Sequence, residues 1–183
     1  VSDEDFIGRR LVSLIQSDVS YYAMHTNFDI LGMADLSADF LNLKDREILE
    51  VTYSDANRTE GLGRVGNLAQ KMSLKECADF VKTQLKLPSV TVYGDLEKEV
   101  QKVAVCTGSK SLIKEVLKHQ VDVYVTGDAD YHFAIDAVAQ DVCIIDAGHY
   151  GTEYIFMDYM EKELQALEGE LEIKKMQVIH PFK

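Results

Sequence analysis

Apolar residues recur along this chain in two alternating periods, and the alternation predicts an α/β fold. Near the start, Phe6, Ile7, Leu11, Val12, Leu14 and Ile15 repeat at helical spacing behind the acidic cap Ser2-Asp3-Glu4-Asp5, which predicts a helix over residues 3–16. Residues 19–24 read as a strand. Leu31, Ala34, Leu36 and Phe40 predict a helix over 30–41. A strand at 48–53, a polar loop at 54–60 and an edge strand at 63–68 follow. Ser73 can cap a helix through about residue 86, with Leu74, Cys77, Phe80, Val81 and Leu85 on its inner side. Pro88 ends that region. Strands at 89–93, 100–106, 121–126 and 142–146 then enclose helices at 111–119 and 131–139. A long helix over 149–167 and a closing strand over 172–179 complete the series. Strands alternating with short helices indicate an α/β architecture whose second half holds a largely parallel sheet.

Charge narrows the function. The 183 residues carry 31 acidic against 19 basic side chains, a net charge of −12, so a broad nucleic-acid footprint is disfavoured. Cys77, Cys106 and Cys143 sit far apart in apolar surroundings without a CxxC pair, as core residues of a reducing cytoplasm do. No apolar run approaches the roughly 20 residues of a membrane helix, and no signal peptide is expected. The chain begins at Val1 and enters a helix almost at once, which reads as the interior of a domain.

Two pairs carry the candidate chemistry. His149 and Glu153 lie four residues apart just after the apolar run Val142-Cys143-Ile144-Ile145-Asp146, and His25 and Asp29 repeat that spacing near the start. Four residues make about one helical turn, so each pair points to one side. An imidazole beside a carboxylate at a strand-to-helix junction suits a divalent metal, whether zinc, iron, manganese, nickel or cobalt. Asp146 or Gly148 can cap the helix of the second pair, at the end of a strand where open α/β sheets place their ligands. The plainer readings are a surface His and Glu, and a turn in which Asn27 and Asp29 satisfy backbone groups. Asp128, Asp130 and His132 follow another strand end and can line the same cleft. His132 suits three roles: supporting a ligand, giving a proton to substrate, or capping a helix. Gly61-Leu62-Gly63-Arg64-Val65-Gly66 matches the letters of a dinucleotide-binding loop. A polar stretch precedes it and the next helix starts only near Ser73, so a tight turn or strand start is the better reading. Cys106-Thr107-Gly108-Ser109-Lys110-Ser111 joins a strand to a helix, as an ordinary turn with a serine cap or as a phosphate cradle.

In chain order, four motifs resemble those of the NIF-three-like dinuclear-metal family, whose members are also called GTP cyclohydrolase I type 2 homologs. They are Tyr22-Ala23-Met24-His25-Thr26-Asn27-Phe28-Asp29, the glycine motif, Thr126-Gly127-Asp128 with Tyr131-His132, and Asp146-Ala147-Gly148-His149-Tyr150-Gly151-Thr152-Glu153. The resemblance runs over essentially the whole chain. It implies two similar α/β layered subdomains with mixed, largely parallel sheets, a metal site in the cleft between them, and a toroidal homohexamer. A subdomain junction is expected near residues 60–68. The resemblance further implies two divalent metal ions per subunit, with Asp29, His149 and Glu153 as ligands and His25 as a further ligand or close neighbour. Glu153 suits a bridging position, having two carboxylate oxygens. Family members carry a His-His pair before the helix that here begins near Ser2, and this chain has none. The expectation is therefore a unit lacking an N-terminal portion, with each metal short of one ligand. The stretch between Gly66 and Val100 leaves no room for the middle domain that some members insert.

Two functions are carried forward. One is a metal-dependent hydrolase in the cytoplasm, acting on a nucleotide or phosphorylated small molecule, with GTP ring opening implied by the family name and His132 as the candidate for proton handling. The other is a non-catalytic metal-binding scaffold or regulator that acts as an oligomer.

Overall fold

The computed structural model describes residues 2–108, 112–167 and 170–180. The chain opens with α1 (Phe6–Gln16) and α2 (Thr26–Phe28), which continues through a π-helical turn (Asp29–Met33) into α3 (Ala34–Phe40). Next come β1 (Lys44–Ser54), β2 (Thr59–Ser73), α4 (Leu74–Gln84), β3 (Thr91–Tyr93), β4 (Glu99–Val105) and α5 (Ile113–Lys118). The series closes with β5 (Val123–Thr126), α6 (Tyr131–Ala139), β6 (Cys143–Asp146), α7 (His149–Glu153) and α8 (Phe156–Leu167). The mixed α/β class expected from the sequence is observed. All six strands form one sheet in the order β1-β2-β4-β5-β6-β3. Pairing is parallel between β4 and β5 and between β5 and β6, and antiparallel elsewhere.

Period-two alternation sorts the central strands between two cores. Val103, Val105, Val123, Val125, Cys143 and Ile145 face one side, where Ala38 and Leu41 join them beside Leu74, Cys77 and Val81 of α4. Ala104, Tyr124, Val142 and Ile144 face the other, against Val116 of α5 and Phe133 and Ala137 of α6. Buried on both faces, these strands read as continuous apolar runs. All three cysteines lie in these cores, and burial, with Cys143 nearby, pushes the Cys77 thiol up to about 12. Helix α4 starts at a reciprocal cap: Ser73 Oγ accepts from Glu76 N (3.2 Å), and Glu76 Oε2 accepts from Ser73 N (2.8 Å). Among the described residues no helix is long and apolar enough to cross a membrane.

The structure departs from the sequence reading in four places. Residues 19–24 and 172–179 form no strand. A strand needs a neighbour for its backbone groups, and both segments run exposed, with Tyr21 and Tyr22 about three-quarters accessible. The helix expected over 149–167 breaks at Tyr154 and Ile155, where Ile155 is buried and the Tyr154 hydroxyl donates to Leu85 O (2.6 Å). The helix expected over 111–119 is observed from Ile113 to Lys118, Ser111 lying outside the described residues.

The fourth departure concerns the glycine motif. Residues 60–68 lie inside β2, a 15-residue strand flanked by β1 and β4 rather than at an edge. Its glycines serve sheet packing: a Cβ on Gly61 would sit 2.0 Å from Glu50 O of β1. Within the motif, buried Arg64 clamps α3 to β2 by a two-pronged bond to Asp35 (2.7 and 2.9 Å), and it also donates to Gly61 O and Gly63 O. Gly61→Ala is expected to destabilise the fold by about 2 kcal/mol, lowering Tm by roughly 5 °C, because β1 must shift to admit the methyl group. Thermal unfolding of this variant checks it, and an unchanged Tm would contradict the packing role.

Candidate metal centre

Strands β4, β5 and β6 end side by side, and the loops that follow them are knitted by a few polar groups. Asp146 does most of this. Its Oδ1 accepts from Asp128 N (3.0 Å) and Gly148 N (2.8 Å), and its Oδ2 accepts from Ala129 N (2.9 Å). The carboxylate thus ties the β5–α6 turn to the β6–α7 turn and does not cap a helix. The first loop is fastened by Gly108 O, which accepts from Gly127 N (3.0 Å) and Thr126 Oγ1 (3.2 Å). Gly108 N in turn donates to buried Thr152 Oγ1 of α7 (3.1 Å).

This frame aims His149. Helix α7 opens at Gly148, whose φ of +73° is a left-handed conformation that glycine adopts freely. His149 Nδ1 lies 3.1 Å from Asp128 Oδ2, and His149 Nε2 lies 3.1 Å from Glu153 Oε1. The His149–Glu153 pair therefore shares one side of the helix as the spacing required. An Asp on the remote imidazole nitrogen is the arrangement that orients a metal-binding histidine. Gly108 keeps the approach open, since a Cβ there would come within 3.0 Å of Glu153 Oε1 and 3.5 Å of His149 Nε2.

The second pair reaches the same place from the other end of the chain. His25, Asp29 and Glu153 line one cavity of about 90 Å³ with Met24, Phe28, Met33 and Phe156. His25 N donates to Asn27 Oδ1 (2.9 Å), and the ring Nδ1 contacts Thr26 Oγ1 (3.1 Å). The local turn chemistry expected of Asn27 is thus present, and Asp29 begins the π-helical turn. Burial pushes the Glu153 carboxyl above the ordinary range, opposed by His149; Asp29 raises it further and His25 lowers it. Glu153 is thus where the two pairs meet electrostatically.

Among the described residues, no group of three or more His, Cys, Asp or Glu side chains stands close enough to hold a metal ion as placed. The donor chemistry still fits a divalent cation: two imidazoles and two carboxylates, one of them the half-buried Glu153, whose ionised form is disfavoured where it stands. His132 is exposed on α6, edge-on to Tyr131 at 5.4 Å, and lines neither this cavity nor the one beside His149. The cap of α6 is Asp130, which accepts from Phe133 N (2.9 Å). Of the strand-to-helix turn at 106–111, residues 109–111, where the serine cap was expected, lie outside the described residues. Sequence reasoning did not assign Asp146 its triple role, nor Thr152 its contact with Gly108; an aspartate at a strand end was the available signal for the first.

Comparison with known proteins identifies the family of the chain. A family profile described as Duf34/NIF3 (NGG1p interacting factor 3) matches residues 1–181. A GTP cyclohydrolase 1 type 2 homolog from Clostridium acetobutylicum is 33% identical over 168 residues, covering 90% of this chain and 62% of that protein. The chain therefore spans less than two thirds of that relative. A second homolog of the same name, from Clostridium perfringens, is 28% identical across the whole chain and 71% of its own length. The crystal structure of a Bacillus cereus protein related to NIF3 shares the fold with a TM-score of 0.89 at 22% identity, covering 100% of this chain and 78% of that one. Reduced HcgD from Methanocaldococcus jannaschii matches with a TM-score of 0.71 at 30% identity, over 92% of this chain and 65% of that one.

The raised carboxyl of Glu153 has a consequence for stability. A group whose folded pKa lies above its unfolded value favours folding at low pH, and that contribution is lost as pH rises through the folded value. In metal-free protein, Glu153→Gln is therefore expected to raise Tm at neutral pH, with the difference closing below about pH 4, where the free carboxyl is protonated. Thermal unfolding in chelator across that range checks it. A parent that is the more stable at pH 7 would contradict the assignment.

Proposed function

Because the chain belongs to the Duf34/NIF3 family, we propose that it binds divalent metal through His25, Asp29, His149 and Glu153 and acts as a metal-dependent hydrolase of the GTP cyclohydrolase kind. The observation that carries this reading is the meeting of two distant His-carboxylate pairs at Glu153: His149 bonds it directly, and His25 and Asp29 share its cavity. When bound, two such ions would supply Lewis acidity and lower the pKa of a water. The chain's own residues have separate tasks. Asp128 holds the His149 ring with Nε2 turned toward Glu153. Glu153 offers two oxygens between the pairs, and Asp29 adds the negative charge that a cation would offset. A nucleotide substrate is supported by the names of the relatives. Among the described residues, those lining the two cavities include Asp29, Asp128, Asp146 and Glu153 but no Lys or Arg. A triphosphate would thus depend on divalent cations to approach. The buried thiols suit a cytoplasmic setting.

A second reading, a non-catalytic metal-binding scaffold within a homohexamer, is supported by apolar side chains left exposed on two helices. Phe6, Ile7, Leu11 and Ile15 stand out from α1, and Tyr131, Ile135 and Val138 form a stripe on α6. GTP turnover separates the two. Under the hydrolase reading, Glu153→Ala is expected to abolish both metal retention and GTP turnover, and turnover surviving in that variant would sink the mechanism. Metal bound by the parent without turnover would leave the scaffold reading. Asp128→Ala is expected to keep the fold but weaken metal affinity by about 10–100-fold, as loss of a histidine-orienting carboxylate does. Calorimetric titration with Mn²⁺ measures this, and parental affinity in the variant would contradict the orienting role.

A further inference from the structure

We infer that the cavity beside His149 is a binding site for a planar heteroaromatic ring that carries no negative charge, selected by Tyr150 and His180. The inference rests on reading His149 as part of the reactive centre. The cavity has a volume of about 210 Å³. That is below the roughly 300–1,000 Å³ of sites enclosing a whole drug-sized ligand, so it suits one ring system rather than an entire nucleotide. Leu87, Val90 and Ala147 give it apolar surface, and Tyr150 and His180 add aromatic surface.

Those rings are held in place before any ligand arrives. Tyr150 stacks on Tyr154 with centroids 5.8 Å apart and planes 18° apart. Tyr154 is anchored by its hydroxyl to Leu85 O (2.6 Å), and the Tyr150 hydroxyl accepts from Ile179 N (3.2 Å). His180 sits edge-on to both tyrosines, at 5.9 and 6.0 Å. Upstream of it, Lys175 pins residues 170–180 to α8 through Asp158 (2.6 Å) and Glu161 (2.7 Å). A flat ligand would find an ordered aromatic surface, the preorganisation that favours ring binding.

Charge decides which part of a ligand enters. Among the described residues, Asp128 and Asp146 line the cavity and no Lys or Arg does, so that lining disfavours a phosphate. Asp146 is already occupied by three backbone N–H groups. Asp128 is half exposed and retains lone pairs beyond its contacts with His149, so ring N–H donors are favoured there. His149 lines this cavity and bonds Glu153, which lines the neighbouring one, so a ring bound here would lie against the proposed centre.

The test is direct binding, by calorimetry and saturation-transfer NMR on the full chain, with guanosine and ribose 5-phosphate as probes and metal content measured on the same samples. Guanosine is expected to bind and ribose 5-phosphate not to compete. His180→Ala and Tyr150→Leu are each expected to weaken guanosine by about fivefold or more, with His180→Phe restoring it and the His180 variants keeping the parent's metal content. Guanosine ignored by the parent, bound equally by both weakened variants, or displaced by ribose 5-phosphate would overturn the ring site. Guanosine bound by a parent that holds no metal would sink the metal reading and leave the ring site standing; the reverse pattern would do the opposite.

Discussion

The site depends on one carboxylate whose oxygens are taken up by backbone N–H groups. Asp146 gathers three backbone N–H groups from two loops, and this fixes Asp128 and His149 relative to each other. Short loops at the ends of parallel strands would otherwise be free to separate, since their backbone donors lack ladder partners. A charged acceptor shared by three amides is a strong local tie. Everything downstream follows from it: Asp128 reaches the His149 ring, the ring reaches Glu153, and Glu153 borders the cavity of His25 and Asp29.

The sheet supplies the frame that Asp146 completes. Strands β4 to β6 are apolar on both faces, so two cores grip them and their ends stay in register. The antiparallel extension through β2 and β1 is made possible by a glycine at 61, where the strands approach too closely for any side chain. Arg64 then uses the same motif to clamp α3, the continuation of the helical segment that presents Asp29.

Much of this was legible in the sequence, for identifiable reasons. Short continuous apolar runs located β4, β5 and β6 to within two residues, because burial on both faces fills every position of a short strand with apolar side chains. The four-residue spacing of His149 and Glu153 foretold their contact, because helix geometry is local. What was not legible depended on partners distant in the chain. Residues 19–24 and 172–179 have strand-like composition but pair with no strand among the described residues. The glycine motif read as a tight turn or a strand start; it lies near the start of β2, and its close approach to β1 depends on a partner strand. The capping of α6 by Asp130, the aromatic seating of His180 and the triple role of Asp146 are likewise settled by tertiary placement.

The central claim is that two pairs separated by more than a hundred residues build one centre around Glu153. The most direct measurement is a double-mutant cycle on Mn²⁺ affinity, comparing the parent with Asp29→Ala, Glu153→Ala and the double variant. If the pairs share a centre, each single change is expected to weaken binding tenfold or more, and the double change little further. Metal binding that Asp29→Ala leaves untouched, or a parent that binds none, would contradict the account.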